Sequence, residues 1–187
     1  MSESYKTHSD GLYFVSFSVV GWLDVFTRRE YQDILVESIA FCQLNKGFQL
    51  FYYCIMPSHV HFITASENGN LSDILRDFKS FTAKKVMDAI EENPQESRKE
   101  WLTHQFEYFA RISPQKQERQ SDSYRIWKHN NHPFYLYSNR MIQQKIDYIH
   151  DNPVEAGFVN EPHEWRLSSA NENNPIKTDD APLRFHF

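Results

Sequence analysis

Met56-Pro57-Ser58-His59-Val60-His61-Phe62 sets two histidines on either side of one apolar residue. Along a strand, residues i and i+2 point to the same face. His59 and His61 therefore project together, while Val60 and Phe62 turn toward a core. Pro57-Ser58 is a short break after the apolar run Phe48 to Ile55. A link that brief joins antiparallel strands, so Phe48–Ile55 and His59–Ala65 read as a hairpin. Two neutral imidazoles side by side make half of a metal site.

Working outward, Leu12 to Val20 is rich in β-branched and aromatic residues and reads as a strand. Thr27 is positioned to cap a helix from about Arg28 to Asn45, with Glu30 as its capping-box partner and Gly47 as the residue that closes it. Ile34, Leu35, Ser38, Ile39 and Cys42 share one face of that helix. After the hairpin, Asn68-Gly69-Asn70 is a turn. Leu71 to about Glu92 is a helix with Leu71, Ile74, Leu75, Phe78 and Val86 on its core face. Glu96 to about Ala110 reads as another helix or as its continuation. Ser113 to Ser123 is polar and reads as a mobile loop. Tyr124 to Lys128 is expected to be a fourth strand. Ser138 or Asn139 caps a last helix, which Asn152-Pro153 is expected to stop near Asp151.

The order strand, helix, strand, strand, helix, strand is the split βαβ, ferredoxin-like plan. The expected fold is α+β: a four-stranded antiparallel sheet with helices on one face, plus an extra C-terminal helix. Residues 1–170 are expected to form one domain, with a polar tail over 171–187 that adds nothing to the core.

Composition narrows the function. The chain has 187 residues and a formal net charge of −5, which does not by itself favour nucleic acid. No run reaches the roughly 18 apolar residues of a membrane helix. The polar start and two cysteines without metal-motif spacing, Cys42 and Cys54, fit a cytoplasmic protein with buried thiols. Yet Tyr124 to Ile146 contains no Asp or Glu. It holds Arg125, Lys128, Arg140 and Lys145, interleaved with Trp127, Phe134, Tyr135 and Tyr137. Cations among flat rings suit single-stranded nucleic acid, the charges for phosphates and the rings for bases. The competing reading of this stretch is a solvated loop over an aromatic core.

The last helix carries the chemistry. Ile142, Ile146 and Ile149 are spaced i, i+4, i+7 and define its buried face. Tyr148 and Asn152, i and i+4, share another face, and Lys145 lies one turn before Tyr148. If that second face looks at His59 and His61, two imidazoles and an amide oxygen can hold Mg²⁺ or Mn²⁺ beside a phenol. A metal polarises a phosphate and a tyrosine hydroxyl can attack it. Free phenol ionises near 10, so it needs help at neutral pH, which the nearby cation or Lys145 could supply.

These residues resemble a known family. Met56 to Phe62 is similar to the HUH motif of single-tyrosine HUH transposases. Asp147-Tyr148-Ile149-His150-Asp151-Asn152-Pro153-Val154-Glu155-Ala156-Gly157 is similar to the signature of their REP-associated tyrosine transposase branch. Arg76-Asp77-Phe78-Lys79-Ser80-Phe81-Thr82 and the Trp127 region also look family-like. The resemblance implies a ferredoxin-like core that binds single-stranded DNA hairpins and cleaves beside them. It implies His59 and His61 as metal ligands, Asn152 as the third, and Tyr148 as the nucleophile that becomes linked to a 5′ phosphate. Arg76, Lys79, Arg125, Trp127, Lys128, Arg140 and Lys145 are the expected DNA contacts, and the protein is expected to act as a monomer or a homodimer. Three rivals stand beside this reading. A histidine-triad hydrolase would need a third histidine where Ile63 stands. A water-using nuclease would have no need of Tyr148. A domesticated hairpin-binding protein would keep the fold and lose cleavage. Tyr135 and Tyr137 are the rival nucleophiles.

Overall fold

The computed structural model describes residues 11–112, 123–129 and 133–180. Its elements are β1 (Tyr13–Ser18), α1 (Arg29–Lys46), β2 (Phe48–Ile55), β3 (His59–Ser66), α2 (Leu71–Glu92), α3 (Lys99–Arg111), β4 (Phe134–Tyr135) and α4 (Asn139–Glu155). The four strands form one antiparallel sheet in the order β2-β3-β1-β4. That is the expected ferredoxin-like arrangement. Among the described residues, no helix is long and apolar enough to cross a membrane. Cys42 and Cys54 are buried free thiols.

The sheet has two covered faces, and the alternation of β3 assigns its residues to them. Val60 and Phe62 join the larger core with α1 and α2, among them Leu35, Ile39, Phe78 and Val86. Ile63 and Ala65 join a second core on the opposite face, closed by Ile142, Ile146 and Ile149 of α4. His59 and His61 share the parity of Ile63, so they lie on the α4 face.

Four local expectations are corrected. Thr27 does not cap α1. The N-cap position is Arg28, which makes no side-chain cap bond. Its guanidinium instead holds the Glu96 carboxylate at 2.9 Å and the Gln95 carbonyl at 2.8 Å, tying the start of α1 to the α2–α3 connection. Glu96 itself is turned inward rather than opening α3. The fourth strand is Phe134–Tyr135, paired with Tyr13 and Phe14. The expected segment contributes only a bridge between Trp127 and Val19, because the Trp127 ring is drawn into the core. Pro153 does not end α4. The helix runs on to Glu155, since a proline this near the end removes only one hydrogen bond. Finally, the segment beyond Ala170 does reach the core, where Ile176 is only 3% exposed. Just before it, Leu167 accepts from the Ile55 amide and Ser169 donates to the Tyr53 carbonyl, and Asp179 accepts from the Leu50 amide, so residues 167–179 cover the free edge of β2. Residues 113–122, expected as a loop, lie outside the described residues.

Ser138 caps α4 by accepting a bond from the Met141 amide, as its sequence suggests. Gly47 closes α1 with φ of 67°, a left-handed conformation that glycine adopts without strain.

Candidate active site

The site is built where the start of β3 meets α4. The short break at Pro57-Ser58 starts β3 with His59, and pairing with β1 sets Ser18 opposite His59 and Ser16 opposite His61. The two imidazole centroids are 4.8 Å apart. Because Ile142, Ile146 and Ile149 fasten α4 to the sheet, its next face is aimed at the histidines. The Tyr148 ring lies edge-on to His61 at 5.1 Å. One turn later, Asn152 Oδ1 sits 3.0 Å from His59 Nε2. Phe14 stacks on His61 at 5.6 Å and meets Tyr148 edge-on at 6.0 Å, closing the floor.

The electrostatics favour neutral imidazoles. Burial, followed by the neighbouring His59 and Lys145 charges, pushes His61 down to about 3. Burial also lowers His59, against the opposing effect of its Asn152 contact. His59 Nδ1 lies 3.2 Å from Ser58 Oγ. With Nε2 protonated, the ring donates to Asn152 Oδ1 and Nδ1 accepts from the Ser58 hydroxyl; moving the proton to Nδ1 frees the Nε2 lone pair for the cleft, the tautomer a metal ligand needs.

His61 has both ring nitrogens buried with no hydrogen-bond partner among the described residues. Leaving a buried polar group unpaired costs about 1–3 kcal/mol. A divalent cation would satisfy it. Adjacent ligands about 2.1 Å from an octahedral cation lie about 3 Å apart, the separation found between His59 Nε2 and Asn152 Oδ1. No group of three His, Cys, Asp or Glu that could hold a metal gathers among the described residues, so any third ligand beside the two imidazoles would have to be a group such as the Asn152 amide. Two imidazoles and one amide leave positions for substrate oxygens.

Tyr148 is 39% exposed, open to a substrate. The Lys145 half of the expectation for its phenol is not met: the phenol is raised above the ordinary value, by burial and then by the Glu155 charge. Lys145 Nζ lies 5.3 Å from the Tyr148 ring centre and 4.5 Å from that of Phe14, yet it does not lower the phenol. The chain's own groups keep Tyr148 protonated.

The expected DNA contacts divide sharply. Lys145 stands beside Tyr148, and Arg140 is exposed in the first turn of α4. Lys128 lies near His59, whose charge state it affects. Arg76 is not brought to the site. It lies on α2, against the other face of the sheet, with its guanidinium on Asp73 and Asp77. Lys79 Nζ is committed to the Lys128 carbonyl at 2.7 Å, and burial together with the Arg125 charge lowers it to about 8. Arg125, half-buried, lies close enough to exert that effect. Trp127 is corrected outright as a surface for bases. It is 5% exposed, stacks on Phe26 at 5.4 Å and donates to Thr82 Oγ1 at 3.0 Å. Of the rival tyrosines, Tyr135 packs on Tyr13 in the edge strand, and Tyr137 is 72% exposed beside it. The phenol against His61 belongs to Tyr148. His150 bonds Ser169 at 2.9 Å and anchors the C-terminal segment.

Sequence reasoning missed Trp22, which is 57% exposed and edge-on to His59 at 5.4 Å. Its signal was an aromatic following Gly21 in the turn after β1.

Comparison with known proteins gives two findings. Residues 23–125, over half of the chain, match the family model described as Transposase IS200 like. That span includes His59 and His61 and stops short of α4. Among solved structures, the fold is similar to a REP-associated tyrosine transposase bound to a REP hairpin. The TM-score is 0.56 at 17% identity, covering 90% of this chain and 82% of that one. No curated protein matches the chain.

Proposed function

The chain belongs to the IS200-like transposase family, and from that premise we propose that it cleaves and rejoins single-stranded DNA at hairpin sites through a covalent 5′-phosphotyrosine on Tyr148. The observation that carries this reading is the convergence of Tyr148 and Asn152, one helical turn apart, on the His59–His61 pair. The hairpin-bound neighbour supports a hairpin as substrate.

His59, His61 and Asn152 would hold a divalent cation, Mg²⁺ or Mn²⁺, which supplies positive charge to polarise the scissile phosphate and to favour phenolate. The remaining steps belong to the chain. Phe14 and the packed α4 fix the Tyr148 ring, so that the phenol meets the phosphorus in line with little loss of freedom at the moment of reaction. The Tyr148 oxygen bonds to phosphorus, the bond from phosphorus to the 3′ oxygen breaks, and that oxygen leaves as a 3′ hydroxyl carrying the proton the phenol gave up. The phosphodiester energy is kept in the phosphotyrosine, so a 3′ hydroxyl can reverse the step without ATP. Lys145 and Arg140 precede Tyr148 on the same helix and suit the DNA backbone.

The test is a denaturing gel after incubation with Mn²⁺ and single-stranded hairpin DNA from the flanks of the gene. A covalent protein–DNA band is expected, and it disappears in Tyr148→Phe. Cleavage that survives this substitution would mean that water is the nucleophile. Hairpin binding without any cleavage would favour a domesticated binding protein.

A further inference from the structure

The β1 strand leaves the sheet through a 3-10 turn, Val20–Trp22, which carries two successive left-handed residues. Gly21 has φ of 62° and Trp22 has φ of 56°. Glycine accepts this at no cost, and here it is also required by space: a Cβ on Gly21 would come within 2.7 Å of the Phe109 ring. Trp22 does not accept it freely. A bulky residue at positive φ is strained, and such strain persists only where the surroundings enforce it. They do so here. The Trp22 amide donates to the Val19 carbonyl, Val20 donates to Ile126, and Lys128 donates to Ser18. The turn is pinned on both sides, and the strained residue is the one that projects outward.

Its surroundings are those of a ligand site. Trp22 is the exposed indole beside the candidate metal ligand His59. The Lys128 ammonium lies 4.1 Å from the indole centre, over its face. A flat ring and a cation in contact, next to a group suited to present a phosphate, match the two halves of a nucleotide. The structure thus replaces the Trp127 ring, buried and unavailable, with another, four residues beyond the end of β1 and beside His59.

We propose that Trp22, with Lys128 against it, is the stacking platform for the base of the nucleotide that adjoins the phosphate presented at His59. The inference rests on the DNA-cleaving reading and adds to it the residue that grips the unpaired nucleotide at the cut. The indole takes the base, Lys128 takes the phosphate of the same nucleotide, and His59 lies at the junction. Stacking is tolerant of base identity, so this position would add affinity and register rather than sequence choice.

The experiment uses the full chain in a Tyr148→Phe background, where binding is read without cleavage. The probe is hairpin DNA from the flanks of the gene with single-stranded arms, 2-aminopurine being placed at one arm position at a time. Stacking on an indole quenches this base. Quenching is expected at a position beside the cleavage site, and Trp22→Gly should abolish it and weaken binding about 5- to 150-fold. Trp22→Phe should keep part of both. Lys128→Gln should keep the quenching and lower the salt dependence of binding by about one phosphate. Thermal unfolding separates this from a packing role: glycine relieves the positive φ, so Trp22→Gly should unfold no earlier than the parent. No quenched position, or quenching and affinity unchanged in both Trp22 variants, overturns the platform, as does a Trp22→Gly protein that unfolds early while Trp22→Phe binds DNA no worse than the parent. The underlying reading is judged apart, by the covalent band of the Tyr148 protein. A missing band with Trp22-dependent quenching would remove the phosphotyrosine and keep the platform.

Discussion

His61 is the residue where folding and function pull in opposite directions. It is 4% exposed with neither ring nitrogen partnered among the described residues, so the metal-free site carries an unsatisfied buried imidazole between Phe14 and Tyr148. An apolar side chain of similar size would fill the space without that penalty. His61→Leu is therefore expected to raise metal-free stability by about 1–3 kcal/mol, seen as a later thermal midpoint in EDTA. The same substitution should abolish metal-dependent cleavage and remove any stabilisation by Mn²⁺, since a ligand that binds only the folded state raises its midpoint. A midpoint in EDTA well below that of the parent would show that His61 holds the core together instead. His59 does not pose the same conflict, because Ser58 and Asn152 already meet both its nitrogens.

At the scale of elements, the junction of α1 with the α2–α3 connection depends on one carboxylate. Glu96 has a fully buried side chain that receives Arg28, Arg98 and the Tyr31 hydroxyl. Burial alone would raise its pKa, but the Arg98 side chain and amide, then the Arg98 charge, outweigh it and hold the group at about 2 against an ordinary 4.5. A depressed carboxylate stabilises the fold above the unfolded value, and that contribution is lost as the pH falls from 4.5 toward 2. Its size is about 3 kcal/mol. Glu96→Gln should be the less stable protein at pH 7 by urea unfolding, and the two curves should converge by pH 2. Parallel curves would mean that the ion pairs contribute nothing. None of this was legible in the sequence, where Glu96 read as the polar start of a helix. What was legible had a periodic cause: the alternation of β3, the Ile142–Ile146–Ile149 stripe, the Ser138 cap and the Gly47 closure are each set by neighbours along the chain. The choice between Trp127 and Trp22 was not, because it depends on Thr82 and Phe26, which are distant in sequence. The short β4 was hidden for the same reason, since two residues of strand leave no pattern. Tyr148 and Asn152 were legible as a pair through their i, i+4 spacing, whereas the raised phenol follows from burial that spacing does not reveal.

For the whole molecule, the division of the sheet into two faces decides how the site is assembled. α1 and α2 fill one face, which leaves the other to α4. Because α4 packs on the strands of its own chain, Tyr148 and Asn152 reach His59 and His61 without a second copy. A partner that exchanged this helix would have to uncover Ile142, Ile146 and Ile149, together with the apolar side chains beneath them. An exchanged helix would bury the same side chains against the partner, so each costs about 1.5–3 kcal/mol only while the exchange is in transit. Complementation follows from this geometry. In a protein that works within one chain, an equimolar mixture of His61→Ala and Tyr148→Phe has no complete site and should form no covalent DNA band. If the helix is exchanged between copies, one quarter of the sites in a mixed dimer population would pair an intact histidine set with an intact tyrosine, and the band would return. The parent band should also grow in proportion to protein concentration when the hairpin is in excess, where an exchanged dimer would show a steeper rise at low concentration.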